Sequence, residues 1–304
     1  MWRDYLSLCL SPFHLRIRKE VGLTLAGSID EVRTSARRLR FLRIKGVEIV
    51  GHRAPRDRSC AFLTEMPWLR NLRVFAHPLS DLDALQSLLN LRRLTIQHIG
   101  KTQTIRLSFE PLGSLKHLTI EWFRGADGLF ELQGIETLNL SNYHATTSKA
   151  FSSLLNLRRL RLADSRITEI NTFAQMQQMQ WLALLGLKRL ADFSGISGNK
   201  KLRFLWLEGC PNLHSLEFLH GMEELETLRI LDCGPIVGID VLLALPRLTH
   251  LFIRGDTTLS PFDMRLLRRI PRLENVIVNG LPSQEASYWA QRNQRYDLLR
   301  SDLA

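Results

Sequence analysis

Leu202-Arg-Phe-Leu-Trp-Leu207 sets the pattern that the rest of the chain repeats. Leu202, Leu205 and Leu207 are spaced L-x-x-L-x-L, and Cys210 follows three residues on. Twenty-three residues later come Leu225, Leu228, Ile230 and Cys233, and a further twenty-three bring Leu248, Leu251, Ile253 and Asp256. Apolar residues at i and i+2 are strand alternation, with both side chains pointing into one interior. A strand that recurs at this short interval is one unit of a stack, because only its neighbours can bury its apolar edge.

Worked outward, the pattern registers eleven times. Its first positions are Leu39, Leu69, Leu91, Leu115, Ile135, Leu157, Met179, Leu202, Leu225, Leu248 and Leu273. The last copy is the weakest, since Val276 and Val278 replace its leucines. The long first interval holds His52-Arg-Ala-Pro-Arg-Asp-Arg58, which reads as a loop. Ahead of the repeats, His14–Ile17 and Leu23–Leu25 alternate as short strands. Ser28-Ile-Asp-Glu31 has the form of a capping box, so a helix is expected over about 29–38. Residues 1–38 then form an N-terminal cap, 39–281 the repeat array, and 282–304 a C-terminal helical cap. In that last segment Ser283 is the expected N-cap, and Tyr288, Trp289, Tyr296, Leu298 and Leu299 supply apolar contacts.

Eleven registered copies over residues 39–281 resemble the leucine-rich-repeat family. The second half of each unit narrows the resemblance to the short type of 22–23 residues, as found in stand-alone bacterial proteins. Ile167-x-x-Ile170-x-x-Phe173, Leu213-x-x-Leu216-x-x-Leu219, Ile236-x-x-Ile239-x-x-Leu242 and Leu79-x-x-Leu82-x-x-Leu85 each recur every third residue. The resemblance implies an α/β leucine-rich-repeat solenoid. This is a curved horseshoe with a parallel sheet on its concave face and short 3₁₀ or helical turns on its convex face. The chain departs from the family where an asparagine ladder is usual. That position holds Val47, His77, Ile99, Phe123, Tyr143, Ser165, Leu187, Cys210, Cys233, Asp256 and Leu281. Stacking there is expected to be apolar.

Composition narrows the class. No window approaches the 18 or more apolar residues of a membrane span. The N-terminus carries Asp4 and lacks a basic leader, so it reads as mature protein and argues for the cytoplasm, or for export without a recognisable signal. The four cysteines, Cys9, Cys60, Cys210 and Cys233, show no metal-binding spacing. Cys210 and Cys233 occupy equivalent positions in adjacent repeats, where two buried thiols outweigh a disulfide. No Walker loop, nucleophile elbow, zinc-protease motif or dinucleotide fingerprint is present, and the nine histidines are scattered. About 23 residues follow the last repeat, which argues against an appended catalytic domain. The expectation is a protein without catalytic residues, cofactor or metal.

What remains is a surface. Residues at offsets +2, +4 and +6 from each first leucine point out of the interior, and equivalent offsets in adjacent repeats stand about 5 Å apart. Trp181, Leu185, Phe204, Trp206, Leu231 and Phe252 should form one apolar, aromatic patch rimmed by Arg159, Arg161, Arg229 and Arg254. Trp and Arg are the types enriched at binding hot spots, and exposed apolar patches rarely persist without a partner. The expected function is a scaffold binding a partner protein there, in the manner of a bacterial effector or toxin-neutralising protein. A terminal segment or a second copy of the chain could cover the patch instead. Net charge is +11, and residues 1–75 hold fifteen Lys/Arg against seven Asp/Glu. Arg40, Arg43, Lys45, Arg70, Arg73 and Arg93 therefore make a second candidate site, for an acidic partner or nucleic acid. Separation of this charge from the aromatics counts against nucleic acid.

Overall fold

Short strands dominate because each repeat offers only one alternating apolar stretch before a turn. The computed structural model describes residues 5–6, 15–18, 22–38, 44–50, 59–75, 82–97 and 107–293. The chain forms two compact units, Met1–Ser141 and Asn142–Ala304.

The first unit opens with β1 (Tyr5–Leu6), β2 (Leu15–Arg18) and β3 (Gly22–Gly27), joined antiparallel. Helix α1 (Ile29–Arg38) follows over the span expected from its capping box. Ser28 N–H donates to Glu31 Oε2 at 2.8 Å, and Glu31 N–H donates back to Ser28 Oγ at 3.3 Å. From β3 onward the pairing is parallel, through β4 (Gly46–Val50), β5 (Asn71–Phe75), β6 (Arg93–Ile96), β7 (His117–Glu121) and β8 (Thr137–Ser141).

The register of β4 corrects the first repeat. Val47 pairs with Leu72 and Ile49 with Val74, so the unit starts at Ile44 rather than Leu39. Leu39/Leu42/Ile44 and Ile44/Val47/Ile49 both satisfy L-x-x-L-x-L, and local spacing does not distinguish them. Pairing with β5 selects the second, which buries Ile44, Val47 and Ile49 together. A wrong register would turn one set to solvent. Val47 is therefore an interior strand residue and not a ladder position. The proposed loop His52–Arg58 lies outside the described residues.

The second unit carries β9 (Arg159–Ala163), β10 (Trp181–Leu185), β11 (Phe204–Glu208) and β12 (Thr227–Leu231), all parallel. A short β13 (Pro235–Ile236) leaves this sheet. The sheet continues through β14 (His250–Arg254), while β15 (Thr258–Leu259) pairs with β13. After α2 (Pro261–Leu266), β16 (Asn275–Val278) pairs with β14, and α3 (Ser283–Arg292) follows. Pro282 takes the cap position of α3, so Ser283 is its first helical residue and not its cap. The side chain of Asn293 then stands in for a further strand on β16. Its Oδ1 accepts from Val276 N–H and its Nδ2 donates to Val276 O, each at 2.9 Å.

The return segments are 3₁₀ turns in both units, as the three-residue period predicts. Ile167, Ile170 and Phe173 are buried, as are Leu213, Leu216 and Leu219. Each fully buried leucine of this kind stabilises by roughly 1.5–3 kcal/mol. Stacking at the family's asparagine position is not purely apolar. Ser165 Oγ donates to Tyr143 O at 3.0 Å, and Cys233 Sγ lies 3.2 Å from Leu231 O. Hydroxyl and thiol thus take up carbonyls at two positions three repeats apart. Cys210 and Cys233 are both buried free thiols; the Cys233 sulfur and burial together push the Cys210 thiol up.

Glu169 ties two successive return segments to one carboxylate. Buried Ser148 donates its N–H to Oε1 at 2.8 Å and its hydroxyl to Oε2 at 3.1 Å, and Asn171 N–H donates to Oε2 at 2.9 Å. Burial opposes ionisation, but these bonds to the charged form outweigh it and hold the Glu169 carboxyl below its usual range. A depressed folded value contributes stability above the ordinary carboxylate range, lost as pH falls through the folded value. Glu169→Gln is expected to lower the urea midpoint at neutral pH. The gap from wild type should narrow as pH falls through the depressed folded value and the wild-type carboxyl takes up its proton.

Candidate functional site

Three rows of outward side chains cross the sheet of the second unit, set by the parallel register. The first runs Arg159–Trp181–Phe204–Thr227–His250, and the second Arg161–Ala183–Trp206–Arg229–Phe252. The third runs Ala163–Leu185–Glu208–Leu231–Arg254. The six apolar candidates and their four arginines therefore lie on five adjacent strands, as the spacing predicts.

Their contacts are more specific than a patch with a rim. Trp181 and Phe204 stack with centroids 5.3 Å apart and planes at 6°. The Arg159 guanidinium lies 5.5 Å from the Trp181 ring centre, extending the stack by one rung. In the second row Arg229 does not rim the patch but sits inside it, 4.6 Å from the Trp206 ring and 5.5 Å from that of Phe252. Aromatic rings one rung either side of an arginine attract its cation through their quadrupoles. Phe252 is buried, at 6% exposure, where it was expected to be open. Ala183, between Arg161 and Trp206, is buried as well. Trp181, Leu185, Phe204, Trp206 and Leu231 are half-buried, so the face is a packed mosaic and not an open greasy surface. The indole N–H groups of Trp181 and Trp206 are screened from solvent and have no acceptor among the described residues.

Charge is unevenly spread over this face. Arg158 and Arg159 are exposed at β9 and Arg161 is half-buried; among the described residues no carboxylate lies within 4.0 Å of any of the three. Further along the same edge, Arg203 is already paired with Glu226 at 2.6 Å. Burial pushes the His250 imidazole below its usual range, against the pull of Glu274 and Glu226, so it is neutral at pH 7. Positive charge on the face is therefore densest at β9, with Arg254 standing exposed on β14.

The basic cluster of the first unit is rearranged by the β4 register. Arg40 and Arg43 lie outside the described residues. Lys45 precedes β4, and Glu48 holds the outward position that the earlier register gave to Arg43. Glu48 is 6% exposed and its Oε2 lies 3.9 Å from Arg73, whose guanidinium also stands 4.9 Å from the Phe75 ring centre. Arg73 is thus committed internally. Arg93 faces out on β6 between Asn71 and His117. A different row emerges at the strand entrances: Lys45 O accepts from Arg70 N–H, and Arg70 O from Arg92 N–H, at 3.0 and 2.8 Å. Lys45, Arg70 and Arg92 are all exposed on consecutive rungs, and Trp68 is exposed two residues before Arg70. Arg92, at offset +1 like Arg70, joins the row through the rung-by-rung pairing of the strand entrances and was not among the residues expected there.

Among the described residues no three His, Cys, Asp or Glu side chains are grouped as a metal site, and no helix is long and apolar enough to cross a membrane. No protein-family model and no curated protein matches the sequence. Solved structures do. The chain is similar to an internalin (InlF) of Listeria monocytogenes, with 18% identity and a TM-score of 0.60, over 77% of this chain and 68% of that one. A second, internalin C2 of the same organism, matches at 21% identity and a TM-score of 0.51, over 64% and 84%. A TLR13–ssRNA13 complex matches at 17% identity and a TM-score of 0.56, over 84% of this chain and 40% of that one. At these identities the likeness is one of fold. Repeat register, parallel sheet and 3₁₀ returns give this chain the leucine-rich-repeat fold.

The two kinds of arginine on the face should separate in stability. Arg229→Ala removes a cation and a methylene stem held between two rings and is expected to cost about 1–3 kcal/mol. Arg254→Ala, at an exposed position, should stay within about 0.5 kcal/mol. Urea denaturation of both variants checks the contrast.

Proposed function

We propose that the protein is a non-catalytic interaction module that holds a partner protein against the outward sheet face of its second unit. The observation that carries this reading is the pair of packed ladders, Arg159–Trp181–Phe204 and Trp206–Arg229–Phe252. Side chains held by stacking on paired strands lose little freedom on binding, so more of the contact energy is available as affinity. Trp and Arg at the centre of a face are the types whose truncation costs most, about 2 kcal/mol or more each. The structural neighbours include internalins, and the effector or toxin-neutralising role expected from the sequence belongs to this reading.

The test is affinity capture with the wild-type chain beside a Trp181→Ala/Trp206→Ala variant whose far-UV spectrum matches it. A protein retained by the wild type and lost from the variant supports the reading; equal recovery overturns it.

A second reading rests on the row Lys45–Arg70–Arg92 with Trp68 beside it: a track for single-stranded nucleic acid in the first unit. Cations at about 4.8 Å intervals suit a polyanion, and an exposed indole can stack on a base. On this reading, affinity for an oligonucleotide falls steeply with salt. Arg70→Ala/Arg92→Ala should weaken binding and flatten that slope by about one to two units, read by gel shift at two salt concentrations.

A further inference from the structure

The face of the second unit is rich in donors and poor in acceptors at its β9 end. Arg159 and Arg161 stand on β9 and Arg158 is exposed just before it, all without a carboxylate partner among the described residues; on the next two strands the indole N–H groups of Trp181 and Trp206 are buried without an acceptor. Arg159 is exposed, with its guanidinium 5.5 Å from the Trp181 ring centre. Glu208 is the one carboxylate within the three rows, and it lies on β11, two strands from Arg161. Asp164 follows β9 at its far end and makes no ion pair with Arg161. Like charges left uncompensated on one strand face cost free energy that an incoming anion recovers.

We propose that the partner engages this face through an acidic, extended segment. Its carboxylates sit on Arg159 and Arg161, and an apolar side chain lies against Leu185 and Trp206. This rests on the interaction-module reading above and adds the chemistry of the partner. Carboxylates suit planar guanidinium forks, which bind them through two parallel hydrogen bonds. The rungs set the spacing. Leu185 and Trp206 lie one and two strands from β9, about 5 and 10 Å across the sheet. An extended chain rises about 3.3 Å per residue, so the acidic and apolar residues of the partner are two to three positions apart. Phosphodiester chains offer the anion but no aliphatic group at that interval, which favours a protein segment here.

Fluorescence anisotropy tests this with a labelled twelve-residue peptide, Glu-Glu-Ser-Leu repeated three times. The comparison probes are Lys-Lys-Ser-Leu and Glu-Glu-Ser-Ser peptides of equal length and a twelve-nucleotide oligo-dT. The Glu/Leu peptide is expected to bind about tenfold tighter than either comparison peptide. Arg159→Glu/Arg161→Glu should weaken it about tenfold or more, whereas Arg159→Lys/Arg161→Lys, which keeps the charge but loses the fork, should weaken it by a smaller factor of about three. Arg70→Glu/Arg92→Glu, in the first unit, should change it less than about threefold. Absence of binding, indifference to the Arg159/Arg161 reversal, or oligo-dT binding with the same arginine dependence would each overturn the acidic-segment proposal. The capture experiment with the tryptophan variant decides the wider reading separately.

Discussion

A ladder of parallel main-chain hydrogen bonds, one rung per repeat, decides what every side chain in this protein does. Because the strand period is two, the ladder sends Leu205 and Leu207 inward and Phe204, Trp206 and Glu208 outward together. A slip of one residue would exchange the two sets. The buried leucines supply the energy that holds the register, and the register in turn builds the outward rows. Stability and recognition therefore depend on the same alignment, and substitutions at inward positions act on the face only through it.

The outward rows are not independent side chains waiting on a surface. Trp181 stacks on Phe204 and carries Arg159, while Arg229 fills the space between Trp206 and Phe252. This packing lowers the exposed apolar area, which is how large aromatics can stand on a sheet face without inviting indiscriminate association. It also concentrates the free cations at β9, with Arg254 exposed on β14 at the other end. Arg203 is neutralised by Glu226 and His250 is neutral, whereas Arg158, Arg159 and Arg161 keep their charge uncompensated among the described residues. The face is thereby polarised along the stacking direction, from a cationic β9 toward aliphatic and aromatic groups on the following strands.

Leucine-rich repeats usually carry an asparagine at this position, whose side-chain amide offers two donors and an acceptor. Here Ser165 and Cys233 do part of that work with a single donor each, and Tyr143 and Leu187 fill the same position with bulk. A hydroxyl or thiol makes fewer bonds than an amide. Interior packing, such as Phe151 edge-on to both Tyr143 and Phe173 at 5.4 Å, accounts for the rest of the stacking in that region.

Sequence alone settled the repeat, the inward leucines, the 3₁₀ returns and the membership of the outward rows on β9 to β14, because periods of two, three and about 22 are carried by residue type at fixed intervals. The α1 capping box was legible for the same reason: its bonds run between residues three apart. Tertiary structure alone decided the start of the first repeat, where Leu39/Leu42/Ile44 and Ile44/Val47/Ile49 fit equally well until β5 offers a partner. It also decided that Arg73 is spent on Glu48, that Arg92 joins Lys45 and Arg70, and that Arg229 lies within the aromatics. Those outcomes depend on which side chains occupy neighbouring rungs and how they fill the space between them. A one-dimensional spacing records the order of residues but not the volume they compete for.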